Sequence, residues 1–116
     1  MYKVVKRLEI SAAHKLNLNY ISKCETLHGH NWIIYIYLKS KDLNANGMVY
    51  DFTKIKELIS HKLDHKNLND ILKDNNYTTY EISKNIARWI ADEIGPKCYK
   101  VSVQESEGNI AIYERD

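Results

Sequence analysis

His28-Gly29-His30-Asn31-Trp32-Ile33-Ile34-Tyr35-Ile36-Tyr37-Leu38-Lys39 is the stretch on which the fold turns. From His30 onward, aromatic and branched residues fill both parities, with Trp32, Ile34, Ile36 and Leu38 on one and Ile33, Tyr35 and Tyr37 on the other. Such residues fit a pleated surface, and the pattern predicts a β-strand covered on both sides. The apolar run is far too short for the roughly 20 residues of a membrane-spanning helix. Two residues apart in an extended chain, His28 and His30 fall on one face, shared with Trp32 and Ile34.

Upstream, Tyr2, Val4, Leu8, Ile10 and Ala12 alternate with Lys3, Arg7, Glu9 and Ser11, broken only by Lys6. This predicts a half-buried strand with His14 next on its apolar face. The polar stretch Lys15 to Leu27 between the two strands is a long loop of the kind that carries function, and it holds Cys24 and Glu25. Downstream, Asn44 to Gly47 signals a turn, Asp51 stands as an N-cap, and Ile55, Leu58, Ile59 and Leu63 recur at helical spacing to about Asp64 or His65. The asparagine-rich Lys66 to Tyr77 is expected to be a connection rather than an element. Thr78 to Glu81 has the form of a capping box, Ile82, Ile86, Ile90 and Ile94 make a stripe, and Gly95-Pro96 stops the helix. Alternation from Tyr99 to Glu105, a turn at Glu107 to Asn109, and Ile110, Ile112 and Tyr113 supply two last strands. The order is ββααββ, and four strands leave two sheet edges through which copies of the chain can assemble.

At 116 residues one domain, 1–116, is expected. A formal charge of +2 and the lack of a Lys/Arg-dominated window argue against nucleic acid as a partner, and no membrane segment is present. Met1 opens directly into a strand-like pattern, so the expected location is cytoplasmic, where Cys24 and Cys98 are free thiols.

If the first two strands pair as neighbours, His14, His28 and His30 converge at one end of a sheet. Three imidazoles with an open fourth position describe a catalytic zinc site. The alternative is three strand-end histidines with satisfied ring nitrogens. His61 and His65, at i and i+4, form a rival pair, but Lys62 stands where a zinc protease places its glutamate. Cys24 lies four residues before His28, close enough for its thiol to be activated by what the histidines bind. Cys98 reads as packing. Asp64 beside His65 suggests a carboxylate orienting an imidazole, provided the helix ends there. Glu105 closes an apolar strand face and needs donors, either an ordinary partner or a ligand with two parallel N–H groups.

Taken in order, Ala12-Ala13-His14, Cys24-Glu25-Thr26-Leu27-His28-Gly29-His30, Leu63-Asp64-His65 with Leu68-Asn69, and Glu105-Ser106 closely resemble the 6-pyruvoyltetrahydropterin and 6-carboxytetrahydropterin synthase family. The resemblance runs from Leu8 to Tyr113. It implies an α+β tunnelling fold, an antiparallel sheet with two helices on one face that oligomerises into a barrel as a trimer or hexamer. It also implies Zn2+ on His14, His28 and His30, and substrate binding by Glu105 with Ser106. Cys24, Asp64 and His65 match the proton-transfer residues, the last two supplied by a neighbouring subunit. The implied substrate is dihydroneopterin triphosphate. The Cys-x3-His-Gly-His spacing resembles bacterial queuosine-pathway enzymes forming 6-carboxy-tetrahydropterin. Glu25 after Cys24 resembles the subfamily that also forms 6-hydroxymethyl-dihydropterin for folate. Formation of 6-pyruvoyl-tetrahydropterin is the third outcome, and a zinc-bearing pterin-binding protein without turnover is the alternative. Lys15 and Lys23 are candidates to meet the phosphates. Tyr77 departs from the proline many relatives carry there.

Overall fold

The computed structural model describes residues 1–14, 28–73 and 82–115. Its elements are β1 (Tyr2–His14), β2 (His28–Ser40), α1 (Phe52–Leu63), α2 (Leu68–Lys73), α3 (Ile82–Ile94), β3 (Cys98–Ser106) and β4 (Asn109–Glu114). The strands form one antiparallel sheet in the order β1-β2-β3-β4, so every strand pairs with its sequence neighbour. This is the expected ββααββ architecture with one addition. The six-residue α2 lies inside the segment expected to be a connection. The carbonyl of Asn67 accepts from the amides of Asp70 and Ile71 to start that turn, and fully buried Leu68 anchors it.

Burial follows the alternation. Leu8, Ile10 and Ala12 of β1, Trp32, Ile34, Ile36 and Leu38 of β2, and Val101 and Val103 of β3 face a core completed by Ile55, Ile59 and Leu63 of α1 and Ile86, Ile90 and Ile94 of α3. α1 packs on β1 and α3 on β3 and β4. Lys6, the interruption in the pattern of β1, places its ammonium 5.7 Å from the ring centre of Phe52, so its stem lies along the core and its charge stays at the rim. Asp51 caps α1 as expected, its carboxylate accepting from Thr53 N at 2.9 Å. α3 stops at Gly95, whose φ of 103° favours a residue without a Cβ. Arg115, which the sequence pattern did not single out, ties that helix end to the sheet. Its Nη2 donates to the carbonyls of Ala91 and Gly95 at 2.6 and 2.7 Å, and its Nε donates to Cys98 O at 3.0 Å.

The strand expected to be covered on both sides is covered on one. Trp32, Ile34, Ile36 and Leu38 are fully buried, whereas Ile33 and Tyr37 are half-buried and Tyr35 is exposed. Both long helices pack on the same face, and the other carries exposed Val5, Ile110 and Ile112 beside Tyr35. No helix among the described residues is long and apolar enough to cross a membrane.

Candidate active site

The β1–β2 ladder runs without a bulge from Tyr2↔Ser40 to His14↔His28. Its last rungs bring the histidine positions together: His14 is the direct cross-strand partner of His28, and Ala12 is the partner of His30. Direct partners share a face, and so do residues two apart. Positions 14, 28 and 30 therefore fall on the parity of buried Ala12 and Trp32. Trp32 is wholly buried there and its Nε1 donates to Ala12 O at 3.1 Å, which ties down the backbone of His30's direct partner. The backbones of the three histidines are described; their side chains, like all of Cys24 and Glu25, lie outside the described residues.

Asp64 and His65 reach the same end of the sheet. α1 ends at Leu63, Asp64 turns extended at the C-cap, and His65 takes the left-handed φ of 57° that a non-glycine residue rarely adopts. That turn also separates the i, i+4 pair. His61 stays on α1 in a groove with Leu58, Trp89 and Glu93, and His65 leaves for the edge of β1. His65 N donates to Ser11 O at 2.6 Å, Ala13 N donates to Lys66 O at 3.0 Å, and Ala13 bridges Asn67 in parallel. The Asp64 carboxylate is held by Ser11 N, which donates to Oδ1 at 2.8 Å. Its Oδ2 lies 3.8 Å from His65 Nε2, a separation for an ion pair with protonated imidazole and too long for a hydrogen bond. The His65 side chain is 82% exposed. It lines a cleft of about 550 Å³ whose sheet wall is Ser11, Ala12, Ala13, Gly29 and Asn31.

Ser11 and Asn31 were not singled out by the sequence pattern. Ser11 acts through its backbone and so leaves no residue-type signal. Its hydroxyl also pairs with Asn31 Oδ1 at 2.9 Å on the uncovered face.

Glu105 lies between the β3–β4 pairs Gln104↔Ile110 and Ser106↔Asn109, at a register shift. Gln104 pairs with Ile33 of β2, so Glu105 and Ser106 come to the end of the sheet occupied by positions 28–31. Glu105 is half-buried, and Ser106 Oγ accepts from Asn109 Nδ2 at 2.8 Å across the hairpin. The irregular rung re-aims the chain at that point, as bulges beside binding sites do. Cys98, by contrast, is fully buried. Burial pushes its thiol up, outweighing a contact from Sγ to Lys100 O at 3.7 Å and the nearby Arg115 charge. It is an inert core residue.

The family model described as 6-pyruvoyl tetrahydropterin synthase matches residues 3–116. The chain belongs to the 6-pyruvoyl tetrahydropterin synthase family. Among its relatives is the 6-carboxy-5,6,7,8-tetrahydropterin synthase of Rickettsia bellii, 29% identical over 97% of this chain and 77% of that protein. Another is a putative 6-pyruvoyl tetrahydrobiopterin synthase of Caenorhabditis elegans, 31% identical over 90% of this chain and 88% of that protein. The solved structure of Caenorhabditis elegans 6-pyruvoyl tetrahydropterin synthase superimposes with a TM-score of 0.76 over 99% of this chain and 96% of that one, at 28% identity. The four-stranded sheet with two long helices on one face is thus the family's tunnelling fold.

Proposed function

We propose that this chain is a zinc-dependent lyase acting on the side chain of dihydroneopterin triphosphate to form 6-carboxy-tetrahydropterin, with 6-pyruvoyl-tetrahydropterin or 6-hydroxymethyl-dihydropterin as alternative products. The observation that carries the reading is the pairing of His14 with His28, two rungs from the Ala12–His30 pair. It sets three imidazole-bearing positions on one face at one sheet end. Three neutral nitrogen donors fit a catalytic zinc with room for a ligand. Bound there, the metal supplies Lewis-acid polarisation to the substrate's side-chain oxygens.

The remaining work falls to the chain's own groups. Glu105 accepts the parallel N–H donors of the amino-pyrimidinone edge. Cys24 removes a proton as thiolate, and His65 returns one, its imidazole oriented by the Asp64 carboxylate that Ser11 N holds in place. The cleft of His65 opens mainly on residues of odd parity, Ser11, Ala13, Gly29 and Asn31, whereas the histidine positions are of even parity. That difference supports a pair that serves the zinc of a neighbouring subunit. β1 before Ser11 and β4 are the sheet edges that no strand covers among the described residues, and the uncovered face carries Val5, Tyr35, Ile110 and Ile112. Both features suit a homo-oligomer closing its sheets into a barrel. We place this activity in the cytoplasm.

The test is incubation of the purified, zinc-loaded protein with dihydroneopterin triphosphate and separation of products by mass. Appearance of a carboxy, pyruvoyl or hydroxymethyl pterin upholds the reading and identifies the branch. Substrate that binds and is recovered unchanged makes the chain a pterin-binding protein instead.

A further inference from the structure

At the end of the sheet opposite the histidine positions, three lysines gather on two tyrosines. Lys3 and Lys39 are direct partners across β1 and β2, a like-charge rung that costs stability by itself. Both ammonium groups turn to one ring: Lys3 Nζ is 5.6 Å and Lys39 Nζ 5.0 Å from the centre of Tyr99. The two charges are therefore no farther apart than about a Debye length at 0.1 M salt, and each feels the other. Lys100, the β3 partner of Tyr37, holds its Nζ 4.9 Å from the centre of the Tyr37 ring. Tyr37 and Tyr99 meet edge to face at 6.2 Å, joining the three ammonium groups into one cluster.

None of the three has a carboxylate within ion-pair distance among the described residues. Glu114 is the register partner of Lys100 and forms no ion pair with it. Lys97, the next cation along, is engaged with Val49 O at 3.1 Å. Ring quadrupoles position ammonium groups without neutralising them. Lys39, Lys100, Tyr37 and Tyr99 are all half-buried on the face that no helix covers.

We infer that the Lys3, Lys39 and Lys100 ammonium groups, set on the Tyr37 and Tyr99 rings, form a binding site for a condensed phosphate chain. Three fixed positive charges match the several negative charges such a chain concentrates over a few ångströms, and lysine serves phosphate as a point charge. The site is separate from the zinc site of its own subunit. Lys3 and His14 are eleven residues apart on one strand, roughly 36 Å at the β rise. The inference does not rest on the proposed lyase activity.

The phosphate chain can be free or carried by a nucleotide, and two probes divide these sources. The full chain is titrated calorimetrically with inorganic tripolyphosphate and separately with ATP. Equal affinity identifies the phosphate chain alone. Tighter ATP binding identifies a nucleotide whose base adds contact with the tyrosines; either result upholds the site. Lys39→Gln and Lys100→Gln should each weaken tripolyphosphate binding roughly five- to tenfold, and raised salt should weaken it further. Lys56→Gln, an exposed lysine on α1, should leave it unchanged. Glu114→Gln, which removes the nearby negative charge without touching a lysine, should tighten it about two- to threefold. The inference is overturned if tripolyphosphate does not bind, if Lys39→Gln and Lys100→Gln bind it as the parent does, or if His28→Ala abolishes the binding.

Discussion

Replacing Asp64 by Asn and by Ala separates the residue's two tasks, holding the edge of β1 and facing His65. The Asp64 carboxylate accepts Ser11 N at 2.8 Å and is 30% exposed. A hydrogen bond to a charged acceptor contributes about 1.5–3 kcal/mol, and the partial exposure places this one at the lower end. Asp64→Ala leaves the Ser11 amide without its acceptor and should cost about 1–2 kcal/mol. For a chain of this size that lowers the thermal midpoint by roughly 4–8 °C. Asp64→Asn keeps an oxygen to accept the same bond and should stay within about 1 kcal/mol of the parent. Turnover should divide the proteins differently. Both variants lose the negative charge 3.8 Å from His65 Nε2, and both should lose about 100-fold in kcat, within the range general acid–base groups contribute. Urea unfolding, amide exchange at Ser11 and turnover of dihydroneopterin triphosphate make the comparison. Asp64→Asn as unstable as Asp64→Ala would refute the assigned bond, and Asp64→Asn with parental kcat would refute the role given to the carboxylate.

His28→Ala should strip the metal, since two imidazoles hold zinc poorly; unchanged zinc by elemental analysis rules out the three-histidine site. Glu105→Gln should raise KM at least tenfold while shifting unfolding by less than about 1 kcal/mol, because the amide keeps the shape and turns a donor toward the ligand's donors. Cys24→Ala should end carboxy- or pyruvoyl-pterin formation and spare some hydroxymethyl product, and Glu25→Ala should do the reverse; an unaltered product mixture in Glu25→Ala leaves a single-activity enzyme. Cys98, whose thiol is held protonated by burial, should resist alkylation in the folded protein. Its raised value means the unfolded chain loses the proton first, so its contribution to stability is intact below about pH 9 and declines above it. Labelling of Cys98 as fast as in urea would contradict this.

What could be read from residue order, and what could not, divides along physical lines. Elements with a burial period were legible. Ile86, Ile90 and Ile94 of α3 and Trp32, Ile34, Ile36 and Leu38 of β2 face the core as their spacing demands. α2 was not, because six residues offer less than two turns of period, and its start depends on the Asn67 carbonyl rather than on a side-chain pattern. The second face of β2 misled for a related reason. Ile33, Tyr35 and Tyr37 look like core residues, yet they sit on a face that this chain alone leaves open. Apolar parity marks a surface suited to burial without saying what covers it. At the candidate site, histidines two apart and a strand ending in His14 were visible in order. Their meeting depended on the β1–β2 register, and the Ser11 amide that holds Asp64 is a backbone group no sequence pattern marks.

The unbroken β1–β2 ladder has a consequence for how such a chain can change over time. Its thirteen rungs place His14 opposite His28 whatever the length of the segment that joins them. A one-residue slip would turn every core side chain of a strand to the wrong face, so the register is defended along the whole ladder rather than at its closing turn. A change in the number of residues between 15 and 27 therefore leaves the histidine positions on the same rungs. Different side chains can be tried in that segment, which here carries Cys24 and Glu25, without rebuilding the positions that would hold the metal.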